Sequence, residues 1–414
     1  MKRSVKTAVS VAAVCMLAAP VAAQQSGPKA VYWVDATTTS GMGSMMSGMA
    51  SNPSAYAGQP SPEYEQPSMG SALGGALGGD AGAALGGMFG GGKKKKPPRA
   101  AATAAAPQPA RVNYTRTLML HLGSSQKAAG EPSAEHLPPA GLQAGPSLPL
   151  VTPRAAPPVQ TQPGMPQAMG QPRGRMLIYW SCGEHAPAPI VIDFAKMGPG
   201  MKAPPFPTIT ANPGTPPAPG RHATYGAWPN ERAQTTVPAQ GSLVGDHTVR
   251  GNYSPEIRFA VGPGHDFLAP LNITSTNPSP GGGTLVTWNA VPGATGYYAY
   301  MMGAGGQDET MVMWSSSATA AFMGALMDYL PPSEVRRLIA ARAVMPPSTT
   351  QCIVPSEVVQ AAPMGMLSMI AYGDELNVSN PPKPAKGPWH IDYTVKLRLK
   401  SVTSTMLGMP NMGG

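Results

Sequence analysis

Hydrophobic and polar positions alternate with a period of two in several separated stretches of the chain, and that period writes β-strands whose faces meet different surroundings. The cleanest is Trp389 to Thr403: Ile391, Tyr393, Val395, Leu397 and Leu399 fall on one face, and Asp392, Thr394, Lys396, Arg398 and Lys400 on the other. One face reads as buried and the other as solvated, with its lysines blunting unwanted strand pairing. Ala30 to Thr39 and Arg111 to Gly123 read as strands, as do Arg175 to Ser181, Pro189 to Ala195 and segments of His247 to Val261. Ala30 to Thr39 is expected at a sheet edge. Thr284 to Met302 holds two runs of β-formers around a Val-Pro-Gly-Ala-Thr-Gly turn: a strand, a reversal and a second strand. Thr284, Val286 and Trp288 share one face of the first run, and Tyr297, Ala299 and Met301 one face of the second. Helical periodicity is confined to Phe322 to Leu330 and Ser333 to Val344, the latter with Ser333 as expected N-cap, Glu334 in the first turn and Arg336, Arg337 and Arg342 later.

Trp288 on one run and the aromatics Tyr297 and Tyr298 on the next resemble the B and C strands of a fibronectin type III module. Leu271 to Thr276 fits its strand A, Thr310 to Ser316 the strand after C, and Gly365 to Tyr372 a later strand. The two helical segments are an insertion into that pattern. The resemblance implies a β-sandwich and a binding, scaffolding or assembly role, since such modules present loops or edges to proteins or glycans. The expected fold is therefore mainly β: two β-sandwich-like domains, the second fibronectin type III-like with a short helical insertion, and long disordered segments rich in Gly, Pro and Met.

The order along the chain follows. Residues 1–23 read as a secretory leader, with Lys2, Arg3 and Lys6 before an apolar run too short to span a bilayer and Val21-Ala22-Ala23 at the cleavage site. Lipidation at Cys15 is the alternative, disfavoured by bulky Val14 before it. Residues 24–40 hold the first strand, 41–110 a low-complexity linker, and 111–264 a β domain with Pro-rich loops. The module spans 267–382, a C-terminal strand 389–404, and a Met/Gly tail 405–414. Export places the protein in the periplasm, the outer envelope or outside the cell.

Composition sharpens this order. With 50 Pro and 49 Gly in 414 residues, long stretches are barred from regular structure. The net charge of +9 is local: the leader carries three of those charges, Lys93 to Lys96 with Arg99 five more, and the remainder is close to neutral. A basic field for nucleic acid is therefore not expected. Gly70, Gly74, Gly78, Gly82, Gly86 and Gly90 recur every four residues ahead of the lysines. A flexible linker is the first reading of this stretch, and peripheral membrane contact through residues 68–96 is the second.

Three kinds of residue suggest chemistry. Cys182 and Cys352, the two cysteines left after the leader, are expected to form a disulfide in an oxidising compartment. Glu184-His185, Asp246-His247 and His265-Asp266 are adjacent acid–His pairs, but neighbours in a strand face opposite ways, and a hydrolase assembled from them is only an alternative. Catalysis is not the expected role. Met42, Met45, Met46 and Met49, and Met406, Met409 and Met412, have a spacing that resembles the methionine motifs of exported copper-handling proteins. Thioethers select Cu(I) and need no deprotonation. Apolar filling of Gly-rich segments is the plain reading of the same residues, and no other cofactor is expected.

Overall fold

The computed structural model describes residues 27–44, 113–153, 174–196, 209–233, 235–305, 310–321 and 323–408. The leader, the glycine repeat, the Lys93 to Lys96 run, Met45, Met46, Met49, Met409 and Met412 lie outside the described residues. The chain is mainly β, and among the described residues sixteen strands form three sheets. The strands are β1 (Ala30–Gly41), β2 (Tyr114–Ser124), β3 (Ala134–Leu137), β4 (Leu148–Leu150), β5 (Arg175–Trp180), β6 (Ile190–Asp193), β7 (Thr224–Trp228) and β8 (Gly245–Gly251). They continue as β9 (Ile257–Val261), β10 (Ile273–Pro278), β11 (Thr284–Trp288), β12 (Gly296–Ala304), β13 (Thr310–Ser315), β14 (Gln351–Val354), β15 (Gly365–Asn380) and β16 (Tyr393–Leu407). Three short helices, α1 (Met323–Leu326), α2 (Pro332–Ala340) and α3 (Ser356–Ala361), fall between β13 and β15.

The largest sheet has nine strands in the order β6-β5-β13-β12-β15-β16-β1-β2-β7. It crosses the boundary read between residues 264 and 267: four strands from the C-terminal part of the chain sit at its centre, flanked on both sides by strands from the N-terminal part. Two parallel pairings make the joins, β13 with β5 and β1 with β16. Ala30 to Thr39 is therefore not an edge. β1 is bonded to β16 on one side and β2 on the other, and its near-continuous β-branched and aromatic run suits an interior strand. β16 pairs back toward the N-terminal part through β1, but it is bonded equally to β15.

One face of this sheet packs on two smaller sheets, β4-β3-β8-β9 and β10-β11-β14. Their shared apolar core includes Tyr32, Val34, Leu120, Leu122, Val249, Ile257, Val286, Trp288, Tyr297, Trp314 and Leu397. The two runs around the Val-Pro-Gly turn do not pair with each other. β11 joins the three-stranded sheet and β12 the large one, and Trp288 meets Tyr297 edge-on across the core at 5.8 Å. The opposite face of the large sheet carries a second core under the helices, where Tyr298, Tyr300, Met302, Met313, Met323, Met327 and Ile370 are buried. Both faces being covered, β12 buries nearly every side chain, which a one-sided alternation does not anticipate.

α2 starts earlier than its expected cap. Pro331 holds the N-cap position without a side-chain hydrogen bond and Pro332 fills the first turn, where a missing N–H costs nothing, so Ser333 lies inside the helix. Glu334 stands in the first turn and Arg337 in the last, while Arg342 lies beyond the end in a left-handed conformation.

Candidate functional site

Among the described residues, a compact polar constellation lies where β16 and β1 run parallel. Their register sets Lys396 opposite Trp33, Asp35 opposite Arg398 and Thr37 opposite Lys400, all on the face turned away from the main core. The Arg398 guanidinium donates Nε–H to Asp35 Oδ1 at 2.6 Å and Nη2–H to Asp35 Oδ2 at 2.5 Å. A planar fork meeting a carboxylate at two points is the strong form of this pairing. Aromatic rings fill the gaps between the cations. Trp33 lies between Lys396 (5.4 Å) and Arg398 (4.7 Å), and Tyr329 between Arg398 (4.6 Å) and Lys400 (4.3 Å). Lys396 also pairs with Glu375 at 2.8 Å.

The face of this strand read as wet is thus largely covered. Arg398 is 2 % exposed, and its Nη1 donates to the Pro213 carbonyl of a segment that lies over it. The alternation was legible; the partner waiting on β1 was not, because Asp35 is a lone acid inside an apolar run. That lone acid was the available signal, since a charge inside a buried strand needs a partner of opposite sign.

His121 and Tyr225 extend the cluster along β2 and β7. His121 Nδ1 and the Tyr225 hydroxyl are 2.8 Å apart, while His121 Nε2 lies 3.9 Å from Asp35 Oδ2, beyond a hydrogen bond. Burial lowers the His121 pKa against the opposing pull of Asp35, and burial pushes the Tyr225 phenol up to about 12. At neutral pH both rings are therefore uncharged, and the Asp35 carboxylate is committed to Arg398.

A second cluster surrounds the cystine. Cys182, just after β5, is bonded to Cys352 of β14 with a Cα–Cα distance of 5.2 Å. Glu184 accepts from Ser279 Oγ at 2.6 Å and from the Gly281 N–H at 3.1 Å. His185 Nδ1 faces Glu357 Oε1 at 3.0 Å and Ser356 Oγ at 3.3 Å, and the Ala186 N–H donates to Glu357 at 2.9 Å. Serine and carboxylate thus meet the same ring nitrogen. A relay needs them on opposite nitrogens, so this geometry passes no proton from one to the other.

The remaining acid–His pairs part company. Asp266 accepts from Ser242 Oγ and from the Leu243 and Phe267 N–H groups, while the neighbouring His265 lies 3.9 Å from Asp374. His247 points into the core, away from exposed Asp246, and builds a chain that adjacency in sequence did not suggest. The Tyr32 hydroxyl donates to His136 Nδ1, His136 Nε2 meets His247 Nδ1 at 2.9 Å, and His247 Nε2 donates to the Leu243 carbonyl at 2.7 Å. The last bond fixes the direction of the rest: each imidazole is neutral, giving one proton and taking one. Burial lowers the pKa of both histidines.

Among the described residues no group of three or more His, Cys, Asp and Glu could hold a metal. Of the methionines singled out by spacing, Met42 and Met406 are described. Gly41 is paired with Ser404, so these two methionines follow at the same end of neighbouring parallel strands, although one stands near each end of the sequence. Met406 itself belongs to β16, which runs on past residue 404.

Compared with known proteins, the chain matches no family model, no curated protein and no solved structure.

Proposed function

We propose that this is an exported, non-catalytic protein of the cell envelope that binds, scaffolds or assembles through β-sandwich modules. One observation carries the reading: the carboxylates in the described clusters hold distant segments together. Asp35 ties β1 to β16, Glu184 ties the cystine loop to the turn before β11, Glu357 ties that loop to α3, and Asp266 caps the segment before β8. Acids spent on such joins serve architecture.

The fibronectin type III resemblance is supported by the strand order. β10-β11-β14 faces β13-β12-β15-β16 across one core, with β11 and β12 on opposite sheets as the B and C positions require. In this reading β16 completes the sandwich, the module reaches residue 407, and α1 and α2 are the insertion. Export is supported by the leader-like N-terminus and by the cystine. β6, with Val191 half exposed, forms one end of the large sheet and offers an edge for an extended partner segment.

A photo-reactive residue in place of Val191, activated in intact cells, tests the reading. A discrete adduct with an envelope protein or glycan supports it. Absence of any adduct, combined with substrate turnover lost on His185→Ala, would replace it with the hydrolase reading. Copper(I) handling is the second reading, favoured by the neighbouring exits of the strands that carry Met42 and Met406.

A further inference from the structure

Four adjacent strands of the large sheet place methionines side by side. Met313 on β13 is paired with Met302 on β12, Met302 with Met366 on β15, and Met366 with Met406 on β16. Residues directly opposite each other in a sheet share a face, with Cβ atoms roughly 4.5–5.5 Å apart. The four thioethers therefore form one lateral row, on the face that carries the second core.

The row changes character along its length. Met313 and Met302 are buried members of that core, 4 % and 8 % exposed. Met366 and Met406 are only half-buried and are not among the side chains packed against it. Apolar filling accounts for the first two. It does not account for two more thioethers continuing the same row to the surface, where β-branched residues are the usual strand choice.

The next row along these strands reads Ser315, Tyr300, Ser368 and Ser404, so hydroxyl groups stand behind the sulfurs and no charged side chain does. Such a donor set is soft and neutral. It suits a polarizable monovalent cation and offers little to zinc, calcium or magnesium. Two sulfurs that share one ion at about 2.3 Å each lie within about 4.6 Å of one another, a separation that long side chains on neighbouring strands reach without moving the backbone.

We propose that Met302, Met366 and Met406 form a binding site for a soft monovalent cation of the Cu(I) class, with Met313 closing the row on its buried side. This site differs from the methionine clusters recognised by spacing and shares only Met406 with them. It does not depend on the scaffolding reading.

The test is titration of the mature protein with Ag(I), and with Cu(I) against a chromophoric chelator. A background variant carries Leu at Met42, Met45, Met46, Met49, Met409 and Met412, which removes the other suspected thioethers. The site predicts that this background still binds one ion, and that adding Met366→Leu and Met406→Leu weakens binding about tenfold or more. Leu replaces Met with little cost to packing, and an unchanged thermal midpoint confirms that the fold survives. Affinity should stay flat between pH 5 and pH 8, because thioethers carry no proton to displace. The proposal is overturned if the background binds no ion, if the added Leu pair leaves affinity unchanged, or if affinity falls steeply with acid as histidine ligation would require.

Discussion

Asp35 and Arg398 stand 363 positions apart in sequence and directly opposite each other in a parallel strand pair, joined by two hydrogen bonds at 2.6 and 2.5 Å. Each is under 5 % exposed. The pair sits where the N-terminal strands join the C-terminal ones, so it helps fix the register of that join. Removing two charges from water is costly, and their attraction repays the cost only in good geometry.

Breaking the pair one-sidedly should therefore be severe. Asp35→Ala leaves a buried guanidinium whose nearest remaining acceptor is the Pro213 carbonyl, and a loss of about 3–5 kcal/mol is expected by urea unfolding. Asp35→Leu combined with Arg398→Met should recover most of that loss. If the double variant is as unstable as the single one, the pair holds more than its own charges.

Acid should loosen the contact between β1 and the β3–β8 sheet. His136 and His247 have lowered pKa values when folded and ordinary ones near 6.5 when unfolded. Above pH 6.5 both states hold these rings neutral, and the Tyr32–His136–His247–Leu243 chain is intact. As pH falls through 6.5 toward the folded values, the unfolded state takes up protons that the folded state refuses. Stability is then lost at up to about 1.4 kcal/mol per pH unit for each histidine. His121, also lowered, adds to the same window. Chemical denaturation at pH 8, 7, 6 and 5 checks this, and His136→Gln with His247→Gln should flatten the slope. A wild-type curve already flat between pH 7 and pH 5 would sink the prediction.

The Cys182–Cys352 cystine closes a loop of sequence separation 170, which in the chain-entropy model removes roughly 5 kcal/mol of unfolded-state freedom. Cys182→Ala with Cys352→Ala should lower the denaturation midpoint by a corresponding amount, and wild type in reductant should match it. The double alanine variant leaves neither partner of the cystine as a free thiol, which separates loop entropy from the side reactions of the reduced pair.

Strand positions were legible wherever alternation or β-branched runs were strong, as in β11, β12 and β16. Sheet membership was not. Nothing in the local pattern of Ala30 to Thr39 says that it will lie between β16 and β2, because parallel neighbours are chosen by residues hundreds of positions away. The cystine was readable because a chain read as exported keeps two cysteines after its expected leader, and two thiols in an oxidising compartment have one simple fate. The cation–aromatic stack was hidden because Lys396, Arg398 and Lys400 look like a solvated stripe until Trp33 and Tyr329 are brought between them. His136 carried no signal at all: its partner His247 is 111 positions away and its donor Tyr32 is 104.

Trp288 and Tyr297 offer the most local test of the core. Tyr297 is fully buried, meets Trp288 edge-on at 5.8 Å, and its hydroxyl accepts from the Val291 N–H at 2.8 Å, inside the turn between β11 and β12. Tyr297→Phe keeps the ring contact and removes only the acceptor, leaving a buried N–H unpaired at a cost of about 1–3 kcal/mol. Trp288→Ala removes the ring contact and opens a cavity, at about 3–5 kcal/mol. The expected order of unfolding midpoints is wild type, Tyr297→Phe, then Trp288→Ala. If Tyr297→Phe matches wild type while its Val291 amide stays protected from hydrogen exchange, the turn is held by packing and not by that hydrogen bond.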